Sequence, residues 1–241
     1  MSHALPLPDT IELSAMNLHA VVVAFDIIVF LFAISVHESS HAWMANRLGD
    51  PTARMLGRIS LNPLKHIDLF GTILLPLIAA ITGAPLLGWA KPTPVDTRNF
   101  KHLVRDDILT SLIGPISNFG VAIGCFLLLG AMAKTSATGH RIVHDIVSSG
   151  SLDTSAVITP LAAILYEGIF INVLLGIFNL IPLPPLDGSH VLRHFLPDGV
   201  RRMFDMAGIA ILWILVLLKV PFLGPLLGPA MDIFRNNLMR L

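Results

Sequence analysis

The amino-acid sequence predicts an all-α, multi-pass membrane protein that contains a re-entrant hairpin and short extended segments. Of its 241 residues, 54% are hydrophobic and only 13% are charged, against roughly 25% charged in typical globular chains. Several apolar stretches reach the roughly 20 residues that a helix needs to cross a bilayer. The formal net charge is zero, so no charge excess indicates nucleic acid as a partner.

Five apolar stretches organise the chain. They cover about 18–36 (continuing as helix to 47), 69–87, 108–132, 161–181 and about 206–231. The first, third and fourth are long enough to cross a membrane as single helices. Residues 135–159 are rich in Ser and Thr, and we expect them to form an exposed loop.

The chain shows no internal repeat and no low-complexity tract. We therefore expect a single integral membrane domain over 1–241, with its core at about 17–195 and C-terminal apolar helices at about 203–238. Cys125 is the only cysteine, which excludes an intramolecular disulfide and a multi-cysteine metal site.

Basic side chains indicate which segments share one side of the membrane. Eleven of the 16 lysines and arginines fall within 42–66, 88–106 and 188–205. Because cytoplasmic loops carry an excess of Lys and Arg, these three segments are expected to be cytoplasmic. The N-terminal tail and 135–159 are expected on the other side.

The apolar stretch 69–87 lies between two of these basic segments and should therefore enter and leave the membrane on the same side. It contains Gly71, Pro76, Gly83 and Pro85, which suit a broken helix or hairpin. Irregular backbone at membrane depth is tolerated where protein buries it or water reaches it. The alternative is a full crossing that leaves some basic residues outside.

The main chemical motif is His37-Glu38-Ser39-Ser40-His41 at the end of the first apolar helix. Residues four apart lie on one helix face, so both imidazoles can reach one Zn²⁺ ion. Glu38 is not needed as a ligand and can accept a proton from water that the metal activates. Two packed histidines beside an acid are the simpler alternative, but ionisable residues in apolar helices are costly and usually functional.

Catalytic zinc usually has three protein ligands and an open position, so a third ligand is needed. Asp187 follows Pro182, Pro184 and Pro185, which end the fourth apolar helix. If 69–87 is re-entrant, Asp187 arrives on the same side as His41. An Asp-Gly pair is otherwise a common surface turn.

The chain resembles the site-2 protease family of intramembrane zinc metalloproteases, in its short bacterial form without a PDZ or nucleotide-sensing domain. The matching pieces are His37-Glu38-x-x-His41, Gly49-Asp50-Pro51-Thr52-Ala53, Gly57-Arg58-Ile59-Ser60-Leu61-Asn62-Pro63, Gly88-Trp89-Ala90-Lys91-Pro92, Gly114-Pro115-x-x-Asn118, and Asn179-x-x-Pro182 through Asp187-Gly188.

This resemblance implies one catalytic zinc ion held by His37, His41 and Asp187, with Glu38 as the general base. It also implies that Asn179 and Asn118 form hydrogen bonds near the substrate or the oxyanion. The expected activity is endopeptidase cleavage within or near transmembrane segments of another protein. The expected location is the bacterial inner membrane, with the active site towards the cytoplasm.

Two other functions stay open on the sequence alone. A metal-ion transporter or sensor could use the same His/His/Asp site, although it would give Glu38 no special role. A membrane-anchored peptidase could act on soluble peptides instead.

The extended segment from Gly88 to Val95 suggests how substrate could bind. Pro92 and Pro94 remove N–H donors from one edge, so Lys91, Thr93 and Val95 keep donors on the other edge. We hypothesise that this edge receives unwound substrate as an added strand; the alternative is that the segment is an ordinary interfacial loop.

Overall fold

A computed structural model describes residues 10–82, 89–150, 156–217 and 223–241. These residues form helices and connecting segments with no β-strand among them, which confirms the all-α class. In chain order the helices are α1 (Thr10–Leu48), α2 (Thr52–Met55), α3 (Leu75–Thr82), α4 (Leu103–Thr135), α5 (Ala137–Ser149), α6 (Thr159–Leu180), α7 (Asp187–Arg193), α8 (Asp198–Leu217) and α9 (Gly224–Leu238).

Three of the described helices are long and apolar enough to cross a membrane: Val23–Leu48 in α1, all of α4 and all of α6. They pack against one another. His41, near the end of α1, is bonded to the carbonyl of Thr110, near the start of α4. Asp187, just after α6, lies beside His41. The end of α1, the start of α4 and the end of α6 therefore meet at one end of the bundle.

The chain leaves this end of the bundle after Leu69 and is back at the same end by Trp89. Trp89, the first described residue after the hairpin, donates its N–H to the Gly71 carbonyl at 3.2 Å. Its own carbonyl accepts from the Thr72 hydroxyl at 2.8 Å. A full crossing would separate these residues by about 30 Å, so the prediction of a re-entrant segment is confirmed. Residues 83–88 lie outside the described part of the chain.

The turn after α1 is tied to the segment before α4 by one buried carboxylate. Asp50 accepts hydrogen bonds from the N–H and hydroxyl of Thr52, the N–H of Asp96 and the side-chain amide of Asn99. Burial raises the pKa of Asp50, but these hydrogen bonds outweigh it and hold that pKa below its ordinary value. Gly49, at φ 117°, leaves room for the Asn99 carbonyl.

The expectation that residues 135–159 form an exposed loop is wrong for residues 137–149, which form the amphipathic helix α5. Its apolar face packs on α4 and α6 in the largest buried cluster. The face consists of Ile142, Val143, Ile146 and Val147, all under 6% exposed. Their helical spacing was hidden by the surrounding Ser and Thr residues, whose composition is typical of loops.

The C-terminal helix α9 packs on the same cluster through Met231 and Leu238. The rings of Phe234 and Phe126 lie 5.7 Å apart in an edge-to-face arrangement. Leu241 reaches Gly130 near the far end of α4. The C-terminus therefore lies at the end of the bundle opposite to His41.

Candidate metal centre

Three side-chain atoms converge where α1, α4 and α7 meet. His37 Nε2 lies 3.0 Å from His41 Nε2, and Asp187 Oδ2 lies 3.1 Å from the first and 3.3 Å from the second. Both histidines are buried, at 6% and 7% exposure. The structure thus brings together the three residues that were predicted from the sequence as metal ligands.

The other nitrogen of each imidazole is already bonded. His37 Nδ1 lies 2.6 Å from Asn118 Oδ1. The amide nitrogen of Asn118 donates to the carbonyl of Ala33 and to Asn172 Oδ1, so Asn118 Oδ1 must accept and His37 Nδ1 must donate. His41 Nδ1 donates to the Thr110 carbonyl at 2.6 Å.

These bonds leave both Nε2 atoms with a lone pair when the rings are neutral. Two lone pairs and a carboxylate oxygen within 3.3 Å repel one another unless a cation lies between them. Asp187 Oδ2 is buried and makes no hydrogen bond of its own. Three ligands of a tetrahedral zinc ion at roughly 2.0–2.1 Å lie about 3.3 Å apart. The donor set and its spacing therefore fit zinc.

Gly114 on α4 leaves the space that the two imidazoles occupy. A Cβ atom at this position would overlap His41 Nε2 and the Cε1 atoms of both rings. Glycine is therefore required by close approach here, although its backbone is ordinary helix. The glycine of the Gly114-Pro115 motif thus has a packing reason.

Asp187 is held by contacts that are distant in sequence. It begins α7, a helix of only seven residues. His194, just after α7, lies with Nε2 2.7 Å from Oδ2 of Asp107, a buried carboxylate on α4. His190 Nδ1 lies 3.7 Å from the other oxygen of Asp107. Gly188 packs directly on the backbone at the end of α6.

Glu38 faces the same cavity and is held by Thr93. The Thr93 N–H donates to Glu38 Oε2 at 2.8 Å. The Thr93 hydroxyl lies 2.7 Å from that oxygen and 3.0 Å from the Glu38 carbonyl. Glu38 is not one of the three converging residues.

The prediction that Lys91, Thr93 and Val95 keep free N–H donors along one edge is wrong for the first two. The Lys91 N–H donates to the His66 carbonyl at 2.8 Å, and the Thr93 N–H is taken by Glu38. Two of the three donors that were assigned to substrate are therefore used within the protein. The pattern of prolines could not reveal this, because both acceptors come from other segments.

A cavity of about 640 Å³ opens over the centre. Apolar and polar side chains from α1, α4, α6 and the segment 89–97 line it, including Trp89, Val95, Phe178 and Asn179. Asn179 donates its amide to the Leu175 carbonyl one turn earlier.

Asn118 is placed differently from the sequence expectation. It is fully buried, does not line the cavity, and has both amide hydrogens bonded within the protein. Contact with a substrate or an oxyanion therefore has no support in this geometry. Its neighbour in the network, Asn172, was missed because it belongs to none of the motifs that carry the family resemblance, although an Asn in an apolar helix is itself a sign of an interhelical hydrogen bond.

The membrane helices and the HExxH motif beside a third ligand define a membrane-embedded zinc metallopeptidase. Residues 25–218 match Peptidase family M50. The chain belongs to this family, the site-2 protease family of zinc metalloproteases.

Relatives agree with this assignment. The chain is 36% identical to YwhC of Bacillus subtilis (strain 168), which carries the provisional name of a zinc metalloprotease, over 89% of each chain. It is 30% identical to Rip2 of Mycolicibacterium smegmatis, provisionally named likewise, over 81% of this chain and 66% of Rip2. No solved structure matches the chain significantly.

Proposed function

We propose that the chain is an intramembrane endopeptidase in which His37, His41 and Asp187 hold one zinc ion and Glu38 is the general base. One observation carries this proposal: a carboxylate that is not a ligand faces the same cavity as three converging ligand atoms. A passage site for metal would need the ligands and not Glu38, and the family assignment favours the peptidase.

The zinc ion supplies Lewis acidity, which makes water nucleophilic near neutral pH. Glu38 accepts a proton from the attacking water at a carboxylate oxygen and later gives it to the leaving amine nitrogen. Thr93 fixes the orientation of that carboxylate through its N–H and hydroxyl. Asn118 and the Thr110 carbonyl fix the orientation of the two imidazoles.

The substrate is a transmembrane segment of another protein in the lipid bilayer; nothing in the charge of the chain favours nucleic acid. The cavity lies between helices that are long enough to span a membrane. A substrate helix hides its carbonyls in its own hydrogen bonds, so it must unwind locally before it reaches Glu38. Asn179 then binds the exposed peptide backbone.

We further propose that the centre faces the cytoplasm of a bacterial cell membrane and that 1–241 forms one domain. The three basic segments 42–66, 88–106 and 188–205 all belong to the end of the bundle that carries His41. Cytoplasmic ends of membrane helices carry such an excess of cations.

The test is Glu38→Gln in the full chain, compared with Glu167→Gln as a matched control in an apolar helix. The first variant should retain zinc and lose about 10²- to 10⁴-fold in cleavage rate, the usual contribution of a general base. A membrane protein should accumulate uncleaved in cells that carry it, but not in cells that carry Glu167→Gln. Normal cleavage by Glu38→Gln, or metal flux that needs His37, His41 and Asp187, would overturn the proposal.

A further inference from the structure

A second cavity, of about 490 Å³, lies outside the metal centre. Three of its lining side chains are basic, none is acidic, and the rest are Leu or Pro. The lining residues are Leu56, Arg58, Leu64, Lys65, Lys91, Pro92 and Pro94. We call it the basic cavity.

The basic cavity lies beside the base of the re-entrant segment. Lys65 immediately precedes His66, whose carbonyl accepts the N–H of Lys91 on the returning segment. The two lysines therefore flank this base, at one end of the helices that are long enough to span a membrane, where lipid headgroups are expected. Leu56 and Leu64 at the cavity are 61% and 74% exposed, which is unfavourable in water and favourable against acyl chains.

The lining of the basic cavity holds three cations and no acidic side chain. Arg58 is only 5% exposed, and its guanidinium donates to the carbonyls of Lys65, Lys91 and Pro92. No ion pair within 4 Å involves Arg58, Lys65 or Lys91 in the described part of the chain. Glu38 acts on Arg58 electrostatically from beyond ion-pair distance. A buried cation without an ion-pair partner is still costly, and an anion in the cavity would reduce that cost.

We propose that the basic cavity binds the phosphate of an anionic phospholipid headgroup. Lys65 and Lys91 contact the phosphate, and the buried guanidinium of Arg58 strengthens the positive potential at the cavity. Leu56 and Leu64 contact the acyl chains. Basic pockets at the cytoplasmic face of membrane proteins bind anionic lipids in this way. Because Pro92 and Pro94 flank Thr93, a lipid here also supports the extended segment that holds Glu38.

The test uses the full chain in nanodiscs of phosphatidylcholine with or without phosphatidylglycerol. After mild delipidation, the phosphatidylglycerol retained per protein is measured by mass spectrometry. The double variant Lys65→Gln/Lys91→Gln should bind it roughly 10- to 30-fold more weakly, since each cation near a membrane surface contributes about three- to fivefold. This readout does not depend on protease activity, so it can fail while the proposed function stands.

The matched control is Lys134→Gln/Arg141→Gln, which removes the same charge at the opposite end of α4. It should retain phosphatidylglycerol as the unmodified protein does. Equal losses in both double variants, or no loss in the first, would overturn the proposal. Inorganic phosphate is the second probe: if it displaces the lipid at equal concentration, the site takes a soluble phosphate, and the assignment to lipid is wrong. Unchanged thermal unfolding of both variants ensures that a loss reports binding.

Discussion

The two halves of the metal centre are built in different ways. His37 and His41 lie one turn apart on a helix of 39 residues, so their spacing is fixed by local geometry. Asp187 lies on a helix of seven residues after a proline-rich turn. It depends on contacts from elsewhere, chiefly the bond between His194 and Asp107.

Both halves nevertheless rest on α4. Asn118 orients His37, the Thr110 carbonyl orients His41, and Asp107 holds the end of α7. The histidine pair is therefore rigid by itself and is only oriented by α4, whereas the position of Asp187 relative to the pair is set by α4. Variants of α4 should separate these two kinds of dependence.

Gly114→Ala should have the largest effect, because a Cβ here overlaps both imidazole rings. We expect loss of stoichiometric zinc and of all zinc-dependent activity, measured by metal analysis of the purified chain. Gly124→Ala is the control on the same helix, since a Cβ there meets nothing within 4 Å. Equal zinc content in the two variants would contradict the tight packing of the centre.

Asp107→Asn and His194→Gln should weaken zinc binding, because they loosen the position of Asp187 and leave the histidine pair unchanged. Residues that orient a ligand typically contribute 10- to 100-fold in metal affinity, and we expect losses in this range by competition with a chelator. Asp198→Asn removes an exposed acid close to α7 and should have no effect. If Asp107→Asn binds zinc normally, α7 is positioned by other contacts.

Thr93→Val should separate chemistry from metal binding. The variant removes the Thr93 hydroxyl that donates to Glu38 Oε2. We expect a cleavage rate roughly tenfold lower, on the scale of one hydrogen bond to a charged group, and an unchanged zinc content. Thr93→Ser keeps the hydroxyl and should recover most of the rate. Equal rates for Val and Ser would show that the hydroxyl is not needed.

Asp50→Asn should have the smallest effect, on stability alone. The folded-state pKa of Asp50 is below its ordinary value, so its stabilisation is present above the unfolded pKa of about 3.9 and is lost as pH falls through the folded value. We expect the variant to be about 1–3 kcal/mol less stable at pH 7 and this difference to narrow towards pH 3. A difference that is independent of pH would contradict the account.

The sequence predicted features that depend on local pattern or simple topology. Spacing of four residues predicted the pairing of His37 and His41, and the distribution of cations predicted that 69–87 returns to its own side. The latter placed Asp187 beside the pair across about 150 residues of chain.

Contacts between distant segments were beyond prediction. The partner of Asn118 proved to be His37, and the donors of Lys91 and Thr93 proved to be occupied by His66 and Glu38. Each of these pairs forms because separate segments pack together, and no spacing within one segment encodes it. The helical face of α5 was present in the sequence but was masked by loop-like composition.

Zinc K-edge X-ray absorption on the unmodified chain, Asp187→Ala and Glu38→Gln tests whether Asp187 is a zinc ligand and Glu38 is not. We expect imidazole and oxygen ligands at roughly 2.0–2.1 Å in the unmodified chain. The same ligand shell should appear in Glu38→Gln, and zinc should be lost in Asp187→Ala. Stoichiometric zinc with an unchanged shell in Asp187→Ala, or a lost ligand in Glu38→Gln, would contradict this assignment.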